Sequence, residues 1–451
     1  MAAAAGPDCA CRRDPGDGRR RVVVTGLGAT TPLGGDVTST WQAMLRGDNG
    51  IRRLSEPWVD QVPIPLGAPV LREPGPGLSP VQRRRIDRCG QLAVTAAQEA
   101  WSDAGFDGTA VAPDRTGVAI STAMGGISTL IGGYETWKAR GWRRIHPAAI
   151  PMAMANAPAA VVGLLLGARA GIHAMVSACA SGAHAIATAA DMIRAGHADV
   201  VVTGGADAPL HPLVLSGFAT MRALSQRVSE PAAASRPYDA GRDGFVLGEG
   251  AGVLVLEAEE HASRRGARVY AELAGVGITS DAYHLAHPEP TGVVNATAIR
   301  TSLAAAGVTA AEVEHVNANA TSTVPGDAAE ARALASVFGE AAGGPAVSAN
   351  KSMTGHTLGA AGAIESIATV LAIRDGVAPA TANFARPDRD VAIDVVHGAP
   401  RPLGGSEIVA LKNSTGFGGH NVAITFRGRP MAARARDDGA GGGGVDPAAG
   451  R

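Results

Sequence analysis

Disulfide frameworks, membrane spans and a strong charge field are all missing from this 451-residue chain. It holds four cysteines: Cys9 and Cys11 lie in a Gly/Arg-rich leader, and Cys89 and Cys179 stand far apart. So few cysteines in so long a chain exclude a stapled scaffold and predict a reduced, cytoplasmic setting. The most apolar stretch, AAVVGLLLGARAGI, contains Arg169 and is too short to span a bilayer. The N-terminal MAAAAGPDCACRRDPGDGRRR lacks the apolar core of a signal peptide. Forty basic against 41 acidic residues leave a formal charge of −1, so no global field favours nucleic acid or an anionic membrane. Aromatics make up only 4% while glycine reaches 60 residues, a balance that lets helices and strands approach closely.

Two common site patterns are absent as well. VTGLGATTPLGG has tempting glycines, but it is not G-x-G-x-x-G, Pro32 interrupts it, and no acidic residue follows at the right distance. A dinucleotide loop is therefore excluded. His146, His173, His184 and His420 have no metal-ligand spacing, and no metal is expected.

What is present is an alternation of strand-like and helix-like segments. RRVVVTGLGATTP is a β-branched run stopped by glycine and proline, and RTGVAISTAMGG repeats the style. The stretch from Ser79 to Gly105 reads as one helix, with Ser79 as N-cap and Pro80 in its first turn. A further helix ends near Ala195 ahead of a buried strand at 199–204. After residue 290 a comparable series recurs: helices near 293–306, 326–338 and 357–374, with the strands EHVNAN, PAVSA and EIVALKN between and after them. Two such series suggest an internal duplication of an α/β fold. The expected organisation is a disordered leader at 1–20, halves at 21–270 and 271–428, and a disordered tail at 429–451.

Three segments carry candidate chemistry. SACASGAHAI sets Cys179 at the start of a small-residue helix, where oriented N–H groups favour a thiolate. A packed core cysteine would look the same. ANKSMTGHTLGAAGA brings Lys351 and His356 together after a strand end; the histidine suits a general acid, base or oxyanion donor, and the lysine can tune its charge. NSTGFGGHNV supplies a glycine-rich turn whose N–H groups could form half of an oxyanion hole.

Taken in order, VVVTGLGATTPLG, SACASGAHAI, RPYDAGRDGFVLGEGAGVLVLE, YAELAGVGITSDAYH, VNANATSTVPGDAAE, KSMTGHTLGAAG and NSTGFGGHN form a specific set. Over about residues 21–427 the chain resembles the β-ketoacyl-acyl-carrier-protein synthases, closest to the type II condensing enzymes. The resemblance implies a thiolase-like, five-layered αβαβα fold of two similar halves, assembled as a homodimer. It implies that Cys179 takes an acyl group from the phosphopantetheine thioester of an acyl carrier protein, with no bound cofactor. The N–H groups of Cys179 and Thr415 would form the oxyanion hole, with His356 and Lys351 as the family's second histidine and its lysine. Glu330 would be the acidic partner of that lysine, Thr321 and Thr323 would line the pantetheine tunnel, and Thr415 and Phe417 would stand at the acyl-pocket gate.

Two positions depart from the family pattern. Where it reads V-N-A-H-G-T-S-T this chain has VNANATST, so the first catalytic histidine is Asn319. Where it reads N-S-F-G-F-G-G the chain has NSTGFGG, so the gating phenylalanine is Thr415. An amide can still donate a hydrogen bond to an enolate oxygen but cannot exchange a proton near neutral pH. Losing one well-placed donor costs roughly 10²–10³ in rate. The expectation is therefore an enzyme of specialised, polyketide-type metabolism that loads an acyl chain on Cys179 and then cyclises or transfers it without decarboxylation. The alternatives are an elongating synthase with Asn319 as surrogate donor, and a silent partner resembling a chain-length factor.

Overall fold

The structure, a computed structural model, describes residues 20–431 apart from 76, 108–110 and 341–342. Nearly all of the leader and tail, Cys9 and Cys11 included, lies outside the described residues. VVVTGLGAT, buried at every position, forms β1 (Val22–Thr30). The first half continues with α1 (Arg88–Asp103), β2 (Thr116–Ser121), α2 (Ile127–Arg140), α3 (Ala157–Leu166) and β3 (Ile172–His173). It closes with α4 (Ser181–Arg194), β4 (Val200–Asp207) and β5 (Gly250–Ala258).

The second half runs β6 (Ala271–Ser280), α5 (Val293–Ala306), β7 (Val313–Asn317), α6 (Val324–Phe338) and β8 (Ala346–Ser348). Helix α7 (Ala361–Asp375) and the hairpin β9 (Ile408–Gly416) and β10 (His420–Gly428) complete it. From the centre outward the strand orders are 1-5-4-2-3 and 6-10-9-7-8, with the same pattern of parallel and antiparallel neighbours. The duplication suspected from sequence is thus plain in the topology. The halves meet along β1 and β6 through the pairs Val23 with Glu272 and Val24 with Ala271.

Helix α1 covers the outer side of the first half, α5 and α6 the outer side of the second, and α4 and α7 lie between them. That gives the five layers of a thiolase-like fold. Because α7 is sandwiched, Ala361 to Ile373 are buried on every face, and that stretch is apolar all round except for Glu365 and small hydroxyl residues.

One helix differs from expectation. Ser79 caps only a short turn, Pro80–Arg83, with a complete capping box to Gln82. A second N-cap, Asp87, then starts α1. Two good caps eight residues apart divide what the apolar spacing reads as continuous.

Among the described residues no helix is long and apolar enough to cross a membrane. Exposed apolar side chains recur between Ile127 and Val176: Leu130, Tyr134 and Trp137 on α2, with Trp142, Ile150, Leu164, Val176 and, on the two-residue edge strand β3, Ile172.

Candidate active site

Two equivalent turns face each other at the middle of the fold. The 3₁₀ turn Ala178–Ala180 leads into α4 and carries Cys179. Leu358–Ala360 leads into α7 two residues after His356. Each opens on a residue in the left-handed region, Ala178 at φ 49° and Leu358 at φ 48°. That conformation is costly for side-chain-bearing residues, and its repetition marks both turns as places where the backbone is held. Ser181 Oγ donates to Ala178 O at 2.6 Å and accepts from Ser177 N at 3.0 Å, which locks the first turn.

Asp207, at the end of β4, ties the second turn to the loop after β2. It accepts from Thr122 Oγ1 at 2.5 Å, Ala123 N at 2.7 Å, Met124 N at 3.1 Å and Gly359 N at 2.7 Å. Burial still pushes its carboxyl up to about 6 against those bonds. Gly416, at the tip of β9, must lack a side chain, since a Cβ there would meet Ser177 O at 2.5 Å.

Cys179, His356, Asn319 and Thr415 line one cavity of about 450 Å³, together with Thr321, Thr323 and Phe417. The structure therefore brings together the residues expected as nucleophile, histidine, amide, threonine pair and gate. Thr321 and Thr323 share a hydroxyl hydrogen bond of 2.9 Å on one wall.

The thiol is half-buried, yet loss of bulk water around it pushes Cys179 up to about 12; nearby Lys351 and the N–H groups of Phe417 and Cys179 pull the other way. The thiolate expected from the helix start is thus outweighed, and the resting group is a thiol. Its proton needs an acceptor. His356 suits that need: burial first, then the ammonium groups of Lys351 and Lys412, hold it well below the ordinary imidazole range and keep it neutral. Its ring stands edge-on to Phe245, centroids 5.3 Å apart, and its Nδ1 has no partner among the described residues.

A correction concerns the carboxylate beside Lys351. Glu330 does not pair with it; the partner is Glu365, whose Oε1 lies 2.7 Å from Lys351 Nζ. Glu330 is a backbone clamp instead, accepting from Asn319 N and Ala320 N at 2.7 Å each, from Asn413 Nδ2 at 2.6 Å and from Tyr238 Oη at 2.9 Å. The helix carrying Glu330 begins just after the threonine loop, so its side chain reaches back under Asn319 rather than across to Lys351.

Sequence reading also missed Lys412. This fully buried lysine binds Glu365 Oε2 at 2.7 Å and sits among the carbonyls of Asn317, Ala318 and Asn413. Burial lowers its ammonium to about 8. A signal existed: a lysine inside the buried run IVALKN and a glutamate inside the apolar helix GAIESIATV are rare unless paired. On its other side, Lys351 Nζ donates to Asn319 O at 2.5 Å and lies 3.4 Å from Asn319 Oδ1. Asn319 Nδ2 in turn donates to Thr415 Oγ1 at 2.8 Å.

No group of His, Cys, Asp and Glu able to hold a metal occurs among the described residues. A nucleophilic thiol, a neutral imidazole and hydrogen-bond donors around a narrow cavity, on a duplicated thiolase-like scaffold, define a thioester enzyme of the condensing class. Comparison with known proteins gives the family. The β-ketoacyl synthase N-terminal domain profile matches residues 19–262 and the C-terminal domain profile matches 270–385. The chain is 41% identical over 409 residues to 3-oxoacyl-[acyl-carrier-protein] synthase 2 of Coxiella burnetii, covering 90% of this chain and 98% of that one. It is 42% identical over 408 residues to the enzyme of the same name from Mycobacterium tuberculosis, covering 90% and 96%.

Among solved structures, a β-ketoacyl synthase from Burkholderia phymatum superposes with a TM-score of 0.84 at 34% identity, covering 90% of this chain and 99% of that one. A type II polyketide ketosynthase, bound to a hexaketide and in complex with its acyl-carrier protein, gives 0.81 at 33%, covering 91% and 99%. The chain belongs to the β-ketoacyl synthase family, and it is an acyltransferase of that type.

Proposed function

We propose that this chain takes an acyl group from a carrier-held thioester onto Cys179 and joins it to a carbon nucleophile. One observation carries the reading: Cys179, His356 and Asn319 share a cavity of about 450 Å³ with the Thr321–Thr323 pair. In loading, Cys179 sulfur attacks the thioester carbonyl while His356 takes its proton. The backbone N–H groups of Cys179 and Phe417, which face the sulfur, receive the oxyanion in place of the Thr415 N–H expected from sequence, and the pantetheine thiol leaves protonated. Residues 21–270 would thus supply the nucleophile and 271–428 the acid–base groups.

For the second half-reaction the relatives favour decarboxylative condensation, ahead of the ring closure expected from sequence. A malonyl-type thioester loses CO₂, its electron pair passing to the thioester oxygen as an enolate held by His356 and Asn319. The enolate carbon then attacks the Cys179 thioester and expels the sulfur. One specific observation keeps a second reading: part of the Asn319 amide is already committed to Thr415. Fewer free donors for a malonyl enolate would favour a nucleophile within the tethered chain, closing a ring where proximity supplies much of the barrier reduction.

The partner is an acyl carrier protein or carrier domain, reached through phosphopantetheine, with no resident cofactor. A second copy of the chain is the best match for the exposed apolar side chains between Ile127 and Val176 and for the open edge of β3.

Intact-mass measurement tests the reading. Hexanoyl-loaded carrier protein should give a Cys179 adduct, and adding malonyl-loaded carrier should give a β-ketoacyl product. An adduct without malonyl-dependent growth would sink condensation, and no adduct from any acyl donor would sink the enzyme reading altogether. Asn319→His should raise malonyl decarboxylation by about tenfold or more if an amide is the weaker donor.

A further inference from the structure

The two departures from the family pattern lie 96 residues apart in sequence and touch in space. Building on the condensation reading, we propose that the Thr415 hydroxyl contacts substrate directly, as a hydrogen-bond donor paired with Asn319. Its ligand would be the oxyanion of the carrier-held thioester's enolate.

Lys351 can only donate. Its Nζ faces the oxygen side of Asn319, with backbone O at 2.5 Å and Oδ1 at 3.4 Å. Turning the amide over would point its NH₂ at an ammonium group, so the carbonyl belongs on that side and the NH₂ on the other. There Nδ2 donates to Thr415 Oγ1 at 2.8 Å. A hydroxyl accepting in that direction must send its own proton elsewhere. Asn319 is the only hydrogen-bond partner given to Oγ1 among the described residues, and Thr415 lines the cavity beside Cys179 and His356. The free O–H, and the second hydrogen of the Asn319 amide, are therefore available to an oxygen in that cavity.

The chain from Lys351 through Asn319 to Thr415 also has a direction. Each donor is polarised by the group behind it, and the last member becomes a stronger donor than an isolated threonine. A phenylalanine at 415 could not accept from the amide. The amide and the hydroxyl together do what neither does in place of an imidazole: one anchors, the other reaches.

Thr415→Val removes the hydroxyl at nearly constant shape, and Thr415→Ser keeps it. Both are measured with hexanoyl-loaded and malonyl-loaded carrier proteins, following Cys179 acylation and CO₂ loss separately by intact mass. Thr415→Val is expected to slow decarboxylation by about 10²-fold, at least tenfold more than it slows loading. Thr415→Ser is expected to stay within about threefold of wild type. Asn319→Ala and Thr415→Val should combine to less than the product of their separate effects, because they break one unit.

Equal decarboxylation in Thr415→Val and wild type would overturn the proposal. So would equal losses in the Val and Ser variants, which would indicate shape, or a fully multiplicative double variant. Should Thr415→Val fail to fold, Thr415→Ala read against Thr415→Ser makes the same comparison. Failure of wild type to acylate Cys179 would instead remove the underlying function. Acylation without decarboxylation would remove the enolate, and this role with it.

Discussion

The turn before α4 carries a thiol between small, mostly apolar neighbours, whereas the same turn before α7 carries Gly359 and stands beside a buried charge cluster. Both halves use one strand order and one strained backbone residue at this place. Their chemistry nevertheless diverges completely. The first half offers a nucleophile kept protonated by burial; the second offers two lysines, two glutamates, an imidazole held neutral and an amide where a ring would stand. Duplication has repeated positions without repeating function. Each half needs what the other lacks: the thiol needs an acceptor for its proton, and the neutral ring needs a proton to take.

The sharpest way to break the contrast is to remove the nucleophile. Cys179→Ala should abolish the acyl adduct while leaving the charge cluster intact, read by intact mass and by an unchanged thermal midpoint. Breaking the cluster should do the reverse. Lys351→Met strips a buried carboxylate of one of its two cations, and about 3 kcal/mol of stability should be lost in urea unfolding. Lys412→Met likewise leaves Glu365 with one cation and also removes a donor from three carbonyls, so a comparable loss of about 3 kcal/mol is expected.

Lys412 also carries a pH signature. Its folded-state value of about 8 lies below the 10.5 usual for a lysine, so between those values the unfolded chain binds more protons. Stability from this group should then rise with pH across that window, and Lys412→Met should flatten the rise. The smallest effect tests the neutral pairing itself. With His356 held low and Cys179 high, loading should change less than about threefold between pH 6 and 8. A steep acid limb near 6.5 would mean that His356 titrates as an ordinary imidazole.

Much of this architecture was legible in the sequence, because buried strands such as VVVTGLGAT and helices such as SGAHAIATAADMIR carry their pattern locally. The break before α1 was not, since Ser79 and Asp87 are both sound caps and only packing selects where the chain turns. At the site, Cys179, Asn319, Lys351, His356, Thr321 and Thr323 could be named from ordered motifs. The identity of Lys351's partner could not. It depends on how α7 lies across the ends of β7 and β9, which brings Glu365 between two lysines while Glu330 turns under the loop. The contact of Asn319 with Thr415 was equally hidden, because it spans a strand end and a hairpin tip that only the closed sheet brings together.

The joint between β1 and β6 consists of two residue pairs, and the backbone around His356 is held by the first half as well, through Val246 O and Gly248 N. During synthesis the N-terminal half emerges first, and domains tend to fold in that order. A nascent chain stopped at that stage would present Cys179 without His356, Lys351 or Lys412. Proton transfer from Cys179 to His356 would then wait until the second half has been made.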